Sequence, residues 1–167
     1  MKNLTVKDAQ ISDTGDALQV RLALSNDGDR TLYAVAKPRG YDWEADARRL
    51  IIRLHDVTPR PDSRIRFAMF VPPAFKALEA GRTTELSFVV PRVLRTAMPS
   101  GEIATWPAHE AQAVRAILAV AEGPFYADIR AARDDRDVPR EMLASSASWG
   151  VRVEIEMAGC TSGQRAD

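Results

Sequence analysis

The chain has 167 residues, 46% of them hydrophobic and 28% charged, which suits one domain with a single core and calls for no covalent staple. Its 23 basic and 23 acidic residues cancel, which speaks against a dedicated nucleic-acid binder, because phosphate contacts leave a basic excess. One cysteine, Cys160, excludes an intrachain disulfide, and no apolar run approaches the roughly 18 residues of a membrane-spanning helix.

The opening run Met1–Asp8 holds no apolar stretch of signal-peptide length, so a cytoplasmic location is expected. Only four of the 23 basic residues are lysine (Lys2, Lys7, Lys37, Lys76). Arginine and alanine codons are GC-rich, so this bias reads as the base composition of a bacterial genome rather than as a phosphate-binding signal. Ala158-Gly159-Cys160 has the letters of a lipoprotein cleavage box but stands at the wrong end of the chain.

In chain order, Leu4–Lys7 opens a short first strand heading towards Ile11, and Ser12–Asp16 is a turn by composition. Leu18, Val20, Leu22 and Leu24 alternate with Gln19, Arg21, Ala23 and Ser25, the period of a half-buried strand. Asn26-Asp27-Gly28-Asp29 before Leu32–Val35 predicts a hairpin. Lys37–Trp43 reads as an aromatic loop, and Leu50, Ile52 and Leu54 as a strand with Arg53 and His55 on its other face. After the turn Pro59–Ser63, residues Ile65, Phe67, Met69 and Val71 form a strand that Pro72-Pro73 ends.

Ala74–Ala80 predicts a turn or two of helix closed by Gly81, and Leu86, Phe88 and Val90 a strand ending near Pro91, where Arg92 breaks the alternation. Arg92–Ala111 is a long connection. Val114, Ala116, Leu118 and Val120, with Ile117 and Ala119 between them, predict a central strand buried on both faces, with a buried helix as the rival. The insertion Glu122–Gly150 carries two expected helices, Tyr126–Arg133 and Pro139–Ala144. Val151, Val153, Ile155 and Met157 then alternate with Arg152, Glu154 and Glu156 in the last strand.

About eight short strands between turn signals predict an all-β fold, an antiparallel β-sandwich, immunoglobulin-like or a near relative, with short helical insertions. The expected domain is 1–158, followed by a flexible tail, 159–167.

No motif identifies a function. Asp13-Thr14-Gly15 has the letters of the aspartic-protease tripeptide, but it joins two strands and reads as a turn. His55-Asp56 and His109-Glu110 offer metal-ligand types without metal-motif spacing. The run Arg130–Asp137 alternates in sign and lacks the spacing of a calcium loop. Cys160 has no patterned neighbour, and no serine sits in a nucleophile elbow. No catalytic residue, metal or cofactor is therefore assigned.

The expectation is a non-catalytic module that binds a protein partner or its own copy, with neither nucleic acid nor membrane as partner. Tyr, Trp and Arg dominate binding hot spots, so the candidate contact residues are Arg39, Tyr41, Trp43, Trp106, Arg130 and Arg133. Two alternatives are a small-ligand or carbohydrate binder stacking on Tyr41, Trp43 and Trp106, and a metal-dependent hydrolase built on the two histidines.

Overall fold

The computed structural model describes residues 3–55, 73–97, 100–123 and 149–160. Within them the chain forms β1 (Leu4–Asp13), β2 (Ala17–Asn26), β3 (Leu32–Val35), β4 (Gly40–Glu44), β5 (Arg49–Leu54), β6 (Phe75–Leu78), β7 (Arg82–Pro91), β8 (Val93–Ala97), β9 (Ile103–Pro107), β10 (Ala113–Ala121) and β11 (Val151–Ala158). One sheet has the order β1-β2-β7. A second runs β4-β5-β10-β3-β6, with β11 also paired to β10, and β8 and β9 form a separate hairpin. The all-β, sandwich-like architecture expected from the alternation is the one observed.

A single apolar cluster joins the two sheets. Leu18, Val20, Leu22 and Leu24 of β2 and Leu86, Phe88 and Val90 of β7 meet Leu50, Ile52 and Leu54 of β5 and Val114, Ala116, Leu118 and Val120 of β10. Each set occupies alternate positions of its strand, so one face of each is removed from water. In β1 the apolar beat slips, from Leu4 and Val6 to Ala9 and Ile11. A β-bulge between Val6 and Asp8 absorbs the slip. Past it, Ala9 lies opposite Leu22 and Ile11 opposite Val20, so both keep to the core side.

The strand at 114–120 is central, as its composition implied. β11 lies along one edge over Ala113–Val120, while β5 pairs with Ala113–Leu118 and β3 with Val120 and Ala121. β5 is parallel to it, the one departure from antiparallel pairing among the described residues. Burial on both faces is only partly realised: Ala119 is buried, whereas Arg115 and Ile117 remain half-buried on the outer face. There Arg115 pairs with Glu154 at 3.5 Å and with Glu156, beside the pairs Arg53–Asp42 and Arg49–Glu44 (3.1 Å). On β11, Ile155 and Met157 are buried, but Val151 is exposed.

Three local expectations are corrected. The segment Asn26–Asp29 does not fold β2 back onto β3, because β2 pairs with β1 and β7 while β3 pairs with β10 and β6. The Asp-Gly turn carries the chain from one sheet to the other instead. Asn26 is fully buried at this crossing; its amide nitrogen donates to the carbonyls of Arg30 (2.7 Å) and Leu78 (2.8 Å), and its side-chain oxygen accepts from Gly28 N–H (3.1 Å). Nearby, Asp27 accepts from the hydroxyls of Ser25 and Thr5, both at 2.7 Å, and these bonds hold its carboxyl below the usual range.

The expected helical turn at Ala74–Ala80 is β6, a strand with Leu78 opposite Leu32 and Phe75 opposite Val35. So short a segment cannot repay helix nucleation, and pairing with β3 decides its conformation. The connection Arg92–Ala111 contains the β8–β9 hairpin and one 3₁₀ turn, Ala108–Glu110. The strand expected at Ile65–Val71 and the helices expected at Tyr126–Arg133 and Pro139–Ala144 lie outside the described residues. The insertion's return is visible: Trp149 Nε1 donates to the carbonyl of Gly123 (3.1 Å), and its ring meets Phe75 edge-on at 4.9 Å.

Two stability predictions follow from this packing. Leu22→Ala or Leu118→Ala should each cost roughly 2–5 kcal/mol in denaturant unfolding, while Glu154→Ala on the outer face should cost under about 1 kcal/mol; equal losses would mean the faces are misassigned. Asn26→Asp sets a carboxylate against two carbonyl oxygens in a buried site, and should cost at least about 2 kcal/mol at pH 7. A wild-type melting temperature in that variant would show that the crossing does not depend on this side chain.

Candidate functional site

The aromatic candidates are placed by strands, not by a loop. β4 pairs with β5 so that Tyr41 lies opposite Ile52 and Trp43 opposite Leu50, on the core side of the sheet. Trp106 lies in β9 opposite the buried Leu94. All three rings are half-buried and pack against the core, and burial pushes the Tyr41 hydroxyl above its ordinary pKa. They do not form one platform, since Tyr41 and Trp43 belong to the six-stranded sheet and Trp106 to the hairpin. Arg39 precedes β4, where its N–H donates to the carbonyl of Arg53 (2.7 Å). Arg130 and Arg133 lie outside the described residues.

The two histidines are separated by the fold. His55 follows the last residue of β5, whereas His109 sits beside the start of that strand, where Arg48 bonds Glu110. A strand of that length sets them roughly 20 Å apart. Among the described residues no group of three or more His, Cys, Asp or Glu side chains is placed to hold a metal ion. Nor does any helix among them have the length and apolarity to cross a membrane.

What the fold does assemble is a polar cleft of about 610 Å³ at the end of the sandwich, lined by Asp13, Arg48, Arg92, His109, Glu110 and Cys160 together with Ala111, Gln112, Ala158 and Gly159. Asp13 is the last residue of β1. It occupies a core-side position opposite Leu18, and the turn that follows places Gly15 at φ 92°. Arg92 leaves β7 where the apolar alternation stops. Its Nη2 meets Asp13 Oδ2 at 3.0 Å and its Nη1 donates to the carbonyl of Gly15 at 2.8 Å. Among the described residues, its buried Nε has no hydrogen-bond partner.

Arg48 closes the turn from β4 to β5 with φ 43°, a left-handed conformation uncommon for a residue with a Cβ. Its Nη2 donates to Glu110 Oε2 (2.9 Å) and to the Glu110 carbonyl (3.2 Å), and its own carbonyl accepts from Gln112 N–H (2.9 Å). Gly159 forms the floor. Its N–H donates to the Gln112 carbonyl (3.0 Å), and a Cβ there would stand 1.9 Å from the carbonyl oxygen of Ala111, so only glycine permits this approach. Cys160, which the sequence places in a tail, is half-buried beside it and packs against the core.

The chemistry of the cleft follows from these contacts. The Arg92 carbonyl accepts from the His109 backbone N–H (3.2 Å) and faces its ring Nδ1 (3.0 Å). A carbonyl oxygen only accepts, so Nδ1 carries a proton and Nε2 is the ring nitrogen turned to Glu110. Nε2 stands 3.8 Å from Glu110 Oε1. Both carboxylates are thus engaged by arginines, and burial followed by the charge of Asp13 pushes the Cys160 thiol pKa up. A protonated thiol is a poor nucleophile.

The sequence offers Asp13, His109, Glu110 and Cys160 one at a time, with the apolar alternation breaking at Arg92, but nothing in their spacing shows that five distant segments converge. The left-handed Arg48 carries no sequence signal at all.

A second surface is set by the hairpin. Leu94 and Trp106 face the core, whereas Val93 and Ile103 belong to the opposite face and are 41% and 68% exposed.

The raised thiol pKa predicts that Cys160 alkylates with a midpoint above that of the same thiol in the unfolded chain, and more slowly at pH 7.5. Iodoacetamide rates across pH, with and without denaturant, check this; a midpoint below the unfolded value would mean that Arg92 outweighs burial and Asp13. Compared with models of protein families, with curated proteins and with solved structures, the chain matches none.

Proposed function

We propose that this chain is a non-catalytic β-sandwich module that binds a protein partner through the outer face of its β8–β9 hairpin. The observation that carries this reading is the exposure of Ile103 and Val93, 68% and 41%, on a hairpin that belongs to neither main sheet. Val93 and Ile103 stand at the two ends of one hairpin face with the exposed Arg95 and Thr105 between them, a mix of apolar and polar side chains open to a partner. Val89 on β7, 55% exposed, adds a third apolar side chain just before the hairpin in the chain. By contrast, the outer face of the larger sheet is tiled with arginine–carboxylate pairs.

The competing readings draw less support. Stacking on a sugar needs an open ring face, and Tyr41, Trp43 and Trp106 pack against the core. A histidine-based hydrolase needs its two imidazoles together, and they lie at opposite ends of β5. In the polar cleft the thiol is held protonated and the carboxylates are paired, an arrangement that offers no activated nucleophile. The partner is a protein or a second copy of the chain, in the cytoplasm of a bacterial cell.

The test is a photo-crosslinking amino acid placed at Ile103, with Arg21 on the exposed face of β2 as control. Irradiation in the native host should give a discrete protein adduct from position 103 and none from position 21. Ile103→Asp should abolish binding of the identified partner while changing stability by less than about 0.5 kcal/mol, as expected for an exposed side chain. Equal adducts from both positions, or unchanged binding by Ile103→Asp, would overturn the reading.

A further inference from the structure

We propose that the polar cleft binds a small zwitterion of the amino-acid class, its carboxylate on the arginines and its ammonium on Glu110. Its volume of about 610 Å³ falls in the range of small-molecule sites. Its charges decide the ligand. Arg48 and Arg92 are matched by Glu110 and Asp13, at 2.9 and 3.0 Å, so the charges of these four groups sum to zero. A lone anion would draw an arginine from its carboxylate and leave that carboxylate unmatched. A lone cation would strand an arginine in the same way. A molecule carrying both charges exchanges one ion pair for two and leaves nothing unpaired.

Arg48 is the second observation. At φ 43° the turn favours glycine, yet a long cation stands there. The position aims the side chain at Glu110, and among the described residues only its Nη2 is engaged, so its other donors remain for a ligand carboxylate. Strained residues cluster where a ligand is held. Glu110 Oε1 is likewise not taken by an arginine; it faces His109 Nε2 at 3.8 Å, beyond hydrogen-bond distance, and can accept from an ammonium.

Titration calorimetry on the full chain, with each of the common amino acids, tests this. Any binder is then repeated as its deaminated acid and its decarboxylated amine; for leucine these are 4-methylpentanoate and 3-methylbutylamine. At least one amino acid should bind saturably, and each single-charge analogue should bind at least roughly tenfold more weakly. Arg48→Gly, which suits the backbone, and Glu110→Gln, which keeps the shape, should lose binding by a similar factor while retaining the circular-dichroism melting curve. Absence of binding at millimolar amino acid, equal binding of the single-charge analogues, or parental affinity in both variants would overturn the proposal.

Discussion

Asn26 holds the one fully buried polar side chain among the described residues, and the two-sheet arrangement turns on it. A chain that leaves one sheet for another must bend where both sheets exclude water, and each backbone group left unpaired there costs about 1–3 kcal/mol. Asn26 removes that cost with three bonds, to Arg30, Leu78 and Gly28, so the end of β2, the crossing loop and the end of β6 are fixed by one amide. Its carbonyl also accepts from Gly81 N–H at 2.8 Å, which ties the start of β7 to the same point. Neither an aliphatic side chain nor a carboxylate of equal size can both donate twice and accept once.

From that point the sheet order follows. Once β3 is delivered to the second sheet, it reaches β10 only at Val120 and Ala121, which leaves the earlier part of the same β10 edge to β5. β11 takes the other edge along its whole length. β10 therefore serves three partners, which explains why its composition is the most apolar in the chain. The parallel pairing of β5 with β10 is the consequence of chain direction: β10 arrives after a long excursion through β6 to β9 and enters from the same end as β5.

Much of this fold was legible in the sequence, and what was not has identifiable causes. β2, β5, β7, β10 and β11 each keep an apolar residue at every second position, and burial follows that beat in the first four and over Ile155 and Met157 of β11. At β6 lysine, alanine and glutamate favour helix locally, while the pairing that overrules them comes from β3, far away in sequence. β4 has the composition of a loop because Pro38 precedes it and Gly40 opens it, although Tyr41 and Trp43 stand two apart. After β2, Asn, Asp and Gly suit a hairpin and a crossing equally well; only the fate of the Asn26 side chain separates them. The cleft was illegible for a different reason. Its polar residues lie at strand ends and in the connections between elements, and no local pattern records that these segments meet.

The same architecture separates binding from stability. Strand interiors supply the core, so their residues are constrained by burial and register. The ends and the hairpin are not, and there the chain departs from what folding alone favours: a left-handed arginine at position 48, apolar Val93 and Ile103 in water, and paired charges where the core-side row of β1 ends in Asp13. None of these adds to the core. A non-glycine residue at positive φ costs about 1 kcal/mol or more, and exposed isoleucine forgoes the burial that repays ordering a hairpin of two five-residue strands, an element marginal on its own. Leu94 and Trp106 anchor that hairpin from its inner face, which frees its outer face from any structural duty. Sites of function are where such local conflicts persist, and both surfaces singled out above are of this kind.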